Sequence, residues 1–497
     1  LTISACSKTD DGTKTHAADA AADAPSARER PAGPVADVSE ELTGGNGPFM
    51  GSASSAVPDG YVEHEYVASG TATAYAAQGA LTDDGMWTFA PTVTAAYRTR
   101  VLVLRPADAA RASGTAIVEW LNVSGGLDAN PDYTSLAEEI TRKGHTYVGV
   151  SAQLIGVEGG PVLVKVSVPG TENLVGKGLK GIDPARYGSL KHPGDGYSFD
   201  IFTQVARAAL AGGTMMGGVK PTIVLAAGES QSAIALTTYY DGVQPLTLMF
   251  DGFFVHSRAK VSLPLIDPVK HDGALEPQYA DLTTAIASTT HPVFRNDLDA
   301  PVVDVQAESD VTGILSSADV RQADSGRFRL WEVAGTSHAD AHLLGAIAST
   351  VDCGAPINNG PMHVVAKAAF RGLETWVRAG TAPPVAPRIE VDGPDGGTKA
   401  VRRDGDGIAL GGIRTPPVDV PVDVLSGAPG PKQDLICLLL GSTTPLPAER
   451  LAALYSNRAD YQQKYAASAD RTIQAGFVLD ADRDALIAFS QPSRVNP

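Results

Sequence analysis

The chain has 497 residues, 43% hydrophobic and 19% charged, which is enough apolar content to bury a substantial core as one large α/β domain with additions. Its net charge of −17, from 39 basic and 56 acidic side chains, argues against nucleic-acid binding, which depends on clustered Lys and Arg. No stretch approaches the roughly 20 apolar residues of a membrane span, and no internal repeat is present.

At the start, Leu1-Thr2-Ile3-Ser4-Ala5-Cys6 reads as the end of a bacterial signal peptide with a lipobox, in which Cys6 is lipidated; a chance match of so short a pattern is the competing reading. Residues 7 to 45 are rich in Ala, Asp, Ser, Thr, Pro and Gly with almost no large apolar side chain, as expected of a flexible tether between membrane and folded domain. Val62 to Tyr75 and Tyr97 to Leu104 read as paired edge strands, and Val118 to Asn122 as a central strand running into Val123-Ser124-Gly125-Gly126. Ser135 to Lys143 reads as a helix and Thr146 to Val150 as the next central strand. The Gly-rich segment from Gly156 to Gly196 is too long for an ordinary connection, and loops of that length are usually functional.

The apolar run Thr222 to Ala227 ends in Gly228-Glu229-Ser230-Gln231-Ser232, followed by a helical stretch, Ala233 to Tyr240, that Gly242 closes. A strand, a sharp turn and a helix hold one serine in a strained conformation above a sheet edge, which makes Ser230 the candidate nucleophile although Ser232 stands where the G-x-S-x-G pattern has glycine. Leu246 to Phe250 reads as a further strand, with Asp251 and His256 beyond it as pocket lining or strand-end caps, a spare acid or base being the competing reading, and Ser257 to Leu298 as an insertion that walls a pocket together with 156–196. The strand Ala300 to Gln306 ends at Ala307-Glu308-Ser309-Asp310, and the strand Phe328 to Val333 runs into Gly335-Thr336-Ser337-His338. Nucleophile, acid and histidine, each at the carboxyl end of a strand, follow the order of α/β-hydrolases. A serine hydroxyl is a poor nucleophile until an imidazole takes its proton and a carboxylate orients that imidazole. His338 is the candidate base and Asp310, three residues after Ala307, its orienter; Glu308 is the competing acid. Oxyanion donors are expected from the backbone of Gln231 and of Val123 or Ser124.

Pro361 to Val377 carries apolar residues at helical spacing and should pack one face on the sheet. Beyond Pro384 comes a Pro- and Gly-rich accessory layer with helical segments at Glu449 to Leu454 and Ala481 to Phe489. Arg414 there could aim at a substrate carboxylate, although a structural salt bridge is the plainer role. With Cys6 assigned to lipid, Cys353 and Cys437 remain, the number needed for one disulfide in an oxidising compartment, two buried thiols being the alternative. No C-x-x-C or His/Cys cluster suggests a metal.

The chain resembles the bacterial alpha/beta hydrolase domain-containing proteins, a group of serine esterase-like enzymes distinct from the lipases. The resemblance rests on Val118-Glu119-Trp120-Leu121-Asn122-Val123-Ser124, Ile182-Asp183-Pro184-Ala185-Arg186-Tyr187, Phe199-Asp200-Ile201-Phe202-Thr203-Gln204, the serine and histidine turns, Trp376 to Pro384, and Gly411-Gly412-Ile413-Arg414-Thr415-Pro416, and covers roughly residues 48 to 490. It implies an α/β-hydrolase fold, a mostly parallel sheet with helices on both faces, and ester hydrolysis by a Ser-His-acid triad without cofactor. The expected organisation is a leader and tether at 1–45, a catalytic domain at 46–385 and an accessory region at 386–497 packed on it. The expected function is an exported, lipid-anchored serine carboxylesterase of the cell surface or periplasm acting on a small-molecule ester. An acyltransferase or amidase with the same triad, or an inactive binding protein on this scaffold, are the alternatives.

Overall fold

Nine strands form one sheet: β1 (Asp37–Glu41), β2 (Tyr61–Ala77), β3 (Phe89–Pro106), β4 (Thr115–Trp120), β5 (Thr146–Val150), β6 (Ile223–Glu229), β7 (Gly252–His256), β8 (Val302–Ala307) and β9 (Phe328–Val333). This computed structural model describes residues 29–52, 56–165, 174–268, 277–394 and 397–496. Their order is β1-β2-β3-β5-β4-β6-β7-β8-β9, antiparallel from β1 to β5 and parallel from β5 to β9. The parallel strands β4 to β8 are buried along their whole length, as sheets covered by helices on both faces require, which is why they read as continuous apolar runs.

The chain passes from β4 outward to β5 and then returns across β4 to β6, so the order reverses at β4 and a crevice opens at the carboxyl ends of β4 and β6. Two helices cover the faces there. Ser198–Ala211 packs Phe199 and Phe202 against Trp120, and Met362–Ala379 lays Val365, Ala369, Phe370 and Leu373 in the other core. Within β4, Glu119 is buried and accepts the N–H groups of Asp132 and Tyr133 at the start of the helix Pro131–Lys143.

Several expectations shift. The chain from residue 29 to 45 is not a tether: β1 pairs with β2, Leu42 packs beside Val67 and Tyr187, and Arg30 binds Asp251 at 2.6 Å. An edge strand needs only backbone partners, so a segment poor in large apolar residues can still join the sheet. Cys6 lies outside the described residues. The strand expected at Leu246–Phe250 lies instead at β7, because Gln244–Thr247 turns helically, Leu248 takes φ 44°, and the Gln244 side chain holds both backbone groups of Phe250. The paired strands β2 and β3 are longer than read and are not edge strands, since β1 covers β2 and β3 pairs with β5, and the helix Arg458–Gln474 was not expected. Its signal is Asn457, whose side chain caps the Asp460 N–H, followed by Tyr461, Tyr465 and Ala469 four apart on one buried face.

The motif Asp183 to Tyr187 is structural. Arg186 and Tyr187 meet Glu65, which also binds Arg100 at 2.8 Å, and Arg100 continues to Asp128 at 2.7 Å, all buried. The accessory region is stitched to the sheet edge, where Ile413 pairs with Val333 and Arg403 reaches Glu308 at 2.6 Å. Arg414 binds Asp419 at 2.6 Å and the carbonyls of Ala409 and Val418 within its own loop, so the substrate contact considered for it gives way to the salt bridge.

Cys353 and Cys437 are joined by a disulfide across a sequence separation of 84 residues. The helix carrying Cys437, Leu435–Leu440, leads into backbone bonds from Ala339 to Leu439 and from Asn358 to Leu440, so the bridge holds the accessory layer beneath the His338 loop. Replacing both cysteines by serine should cost about 4 kcal/mol, because the open chain regains the entropy of a long loop. Urea denaturation measures it, and both thiols found free in the oxidised protein by non-reducing peptide mapping would contradict the bridge.

Candidate active site

Ser230 follows the last residue of β6 with φ 60° and ψ −121°, a conformation that costs a non-glycine residue free energy and aims its side chain out of the sheet. Its N–H donates to the carbonyl of His256 on β7, and the helix Gln231–Thr238 starts immediately after it. At Gly228 a side chain would be tight: a Cβ there would sit 3.0 Å from the backbone of Ser232. Ser232 itself is fully buried, so the place that usually holds glycine accepts a small hydroxyl.

Ser230 Oγ lies 2.7 Å from Nε2 of His338, whose Nδ1 lies 2.8 Å from Oδ1 of Asp310. Asp310 accepts the Ala307 N–H on its other oxygen at 2.6 Å, and the His338 N–H donates to Ser309 Oγ at 2.7 Å, so both loops are fixed to each other. His338 and Asp310 are buried; Ser230 is half-buried. Burial pulls the imidazole down, but Asp310 and Glu229 together outweigh it and raise His338 to about 9.

Glu308 is engaged elsewhere. One oxygen accepts the Gly335 N–H at 2.7 Å; the other binds Arg403 and the Gly427 N–H. It shapes the turn before His338 and anchors the accessory layer, and of the two candidate acids Asp310 is the one in contact with the imidazole.

Of the expected oxyanion donors, Gln231 N–H stands at the first position of its helix, where backbone N–H groups have no partner inside the helix. Val123 N–H meets Oε1 of the Gln231 side chain at 3.2 Å. That amide is oriented from behind, since Gln153 Oε1 accepts from both Gln231 Nε2 and Trp120 Nε1. Ser124 does not fit the donor role: its N–H and hydroxyl both donate to Asn122 Oδ1, which closes the loop on itself, while Asn122 Nδ2 ties that loop to the Glu229 carbonyl. Leu163 and Val164 donate to the Ser124 carbonyl, which brings part of the 156–196 segment to the crevice, and Leu263 from the second insertion binds Ile234 of the helix after Ser230.

Two groups went unread in the sequence. Glu229 lies inside the quoted motif, and its Oε1 is 3.5 Å from His338 Nε2. Asp132 binds His256 Nδ1 at 3.0 Å. A carboxylate at the end of an otherwise apolar buried strand was the available signal for Glu229; nothing local marks Asp132 as a partner of His256, which is 124 residues away. Among the described residues no group of three or more His, Cys, Asp or Glu is placed to hold a metal ion.

A reversing, mostly parallel sheet with the serine turn at its switch point defines an α/β hydrolase. The chain belongs to the alpha/beta hydrolase domain family, whose model matches residues 31–488. No curated protein matches it. Solved structures similar to part of the chain include an α/β serine hydrolase without lid from Xanthomonas campestris (14% identity, covering 54% of this chain and 86% of that one, TM-score 0.27). Another is an esterase from Rhizomucor miehei (10% identity, covering 65% and 85%, TM-score 0.33).

Proposed function

We propose that this α/β hydrolase is a serine carboxylesterase. Ser230 attacks the ester carbonyl, His338 accepts the serine proton and returns it to the leaving alcohol, Asp310 holds the imidazole in the reactive tautomer, and water then releases the acyl group. The N–H groups of Gln231 and Val123 receive the oxyanion, the second once the Gln231 side chain yields its place. The observation that carries the reading is the unbroken hydrogen-bonded chain Ser230–His338–Asp310 at the switch-point crevice. The disulfide fits an exported protein. Cys6 is the proposed lipid anchor, which mass spectrometry of the amino-terminal peptide from membranes would reveal as an acylated cysteine.

A panel of activated esters from acetyl to long acyl chains tests the reaction. The account expects a rapid burst of alcohol equal to the enzyme, followed by slower turnover, with the acyl group on the Ser230 peptide. Hydrolysis of no ester, with no acyl-enzyme, would refute it.

A further inference from the structure

The candidate base has two carboxylates, not one. With Nδ1 of His338 on Asp310, its Nε2 faces Ser230 Oγ at 2.7 Å and Glu229 Oε1 at 3.5 Å. Glu229 is 4% exposed, and this oxygen has no hydrogen-bond partner. A buried carboxylate oxygen without a partner is costly, and here it points at the nitrogen that must carry a proton during the proposed reaction.

The surroundings of Glu229 repeat the pattern on its other side. His256 is its register partner across β6 and β7. Its Nδ1 is held by Asp132, as the Nδ1 of His338 is held by Asp310, and its Nε2 is likewise buried without a partner. Behind Asp132 lies Glu119 of β4, bonded to the Asp132 N–H. Asp340, from the loop after His338, adds its negative charge to the surroundings of His256. Acid, imidazole, acid, imidazole, acid therefore follow one another through the interior beneath Ser230.

We propose that Glu229 is the second carboxylate of the base, pairing with the Nε2 proton of His338 once it has left Ser230. This rests on the serine-esterase reading above. In the step concerned, the Ser230 O–H bond breaks and an N–H bond forms at Nε2. The freed oxygen pair attacks the ester carbon, and the carbonyl pair moves onto its oxygen. The imidazolium so formed then lies between Asp310 and Glu229. Burial raises Glu229 to about 7, with His338 and His256 opposing and Asp132 and Asp310 adding to the rise, so its charge changes near neutrality. Burial lowers His256, which favours the neutral ring beside Glu229.

The same attraction that steadies the imidazolium also keeps His338 protonated in the resting protein. Removing the negative charge must let that proton leave at lower pH. Glu229→Gln should therefore move the acid limb of the kcat/KM profile toward lower pH by about one unit or more while lowering kcat at its plateau. Glu229→Asp, which keeps a carboxylate on the strand end, should restore part of the wild-type limb. An acid limb unmoved in a folded Glu229→Gln protein would overturn the inference. If glutamine prevents folding, carbon-13 NMR of the Glu229 carboxyl in Ser230→Ala protein, assigned by its loss in Glu229→Asp, decides: titration near neutrality supports it, and titration in the ordinary range near 4.3 overturns it. Turnover surviving in Ser230→Ala would instead refute the esterase reading itself.

Discussion

Replacing Ser230 by alanine is expected to lower kcat for ester hydrolysis by about 10⁶-fold, with the fold intact. The substitution removes one oxygen, and that oxygen accepts or donates a single hydrogen bond, to His338 Nε2. Alanine keeps the Cβ, so the strained φ of 60° is neither worsened nor relieved. The thermal transition should therefore stay within a few degrees of wild type, since losing one hydrogen bond costs on the order of 1 kcal/mol. What remains is the rate that the oxyanion donors and binding provide without a nucleophile.

The second large effect separates the two carboxylates that follow β8. Asp310→Asn should lower kcat by about 10⁴-fold, because the amide keeps the shape but no longer supports the imidazolium and favours the wrong tautomer. Glu308→Gln should behave differently. Its carboxylate braces the Gly335 and Gly427 N–H groups and the partly exposed Arg403 guanidinium, so losing its charge should cost about 1–3 kcal/mol of stability and little turnover at a temperature where the protein is folded. Turnover and urea midpoints measured on both variants check this. A collapse of turnover in Glu308→Gln with Asp310→Asn near normal would reverse the assignment.

The parts of the site legible in the sequence are those that local structure dictates. Ser230, His338 and Asp310 each sit just beyond the end of an apolar strand, and strand ends can be read because fully buried parallel strands are continuous hydrophobic runs. The 246–250 misreading has the same origin: Leu246-Thr247-Leu248-Met249-Phe250 looks like such a run, and only the Gln244 side chain, folded back on Phe250, makes it a turn. Contacts between distant segments leave no such trace. Glu308 and Asp310 are two residues apart and equally acidic; what separates them is Arg403, 95 residues further on. Ser124 reads as a donor because its glycine-rich loop is in the right place, yet its N–H is captured by Asn122 two residues back. The ordered segment at 29–45 escaped because β1 joins the sheet through backbone groups that any composition supplies.

The central claim is that Ser230 is an activated nucleophile, and a fluorophosphonate probe tests it without knowledge of the natural ester. Wild-type protein should be labelled on the Ser230 peptide, one probe per chain, at a rate that falls as the pH drops below about 9, where His338 takes up its proton. Ser230→Ala should take no label, and Asp310→Asn should take it far more slowly. A folded wild-type protein that stays unlabelled, or that carries the probe on a peptide without Ser230, would contradict the account.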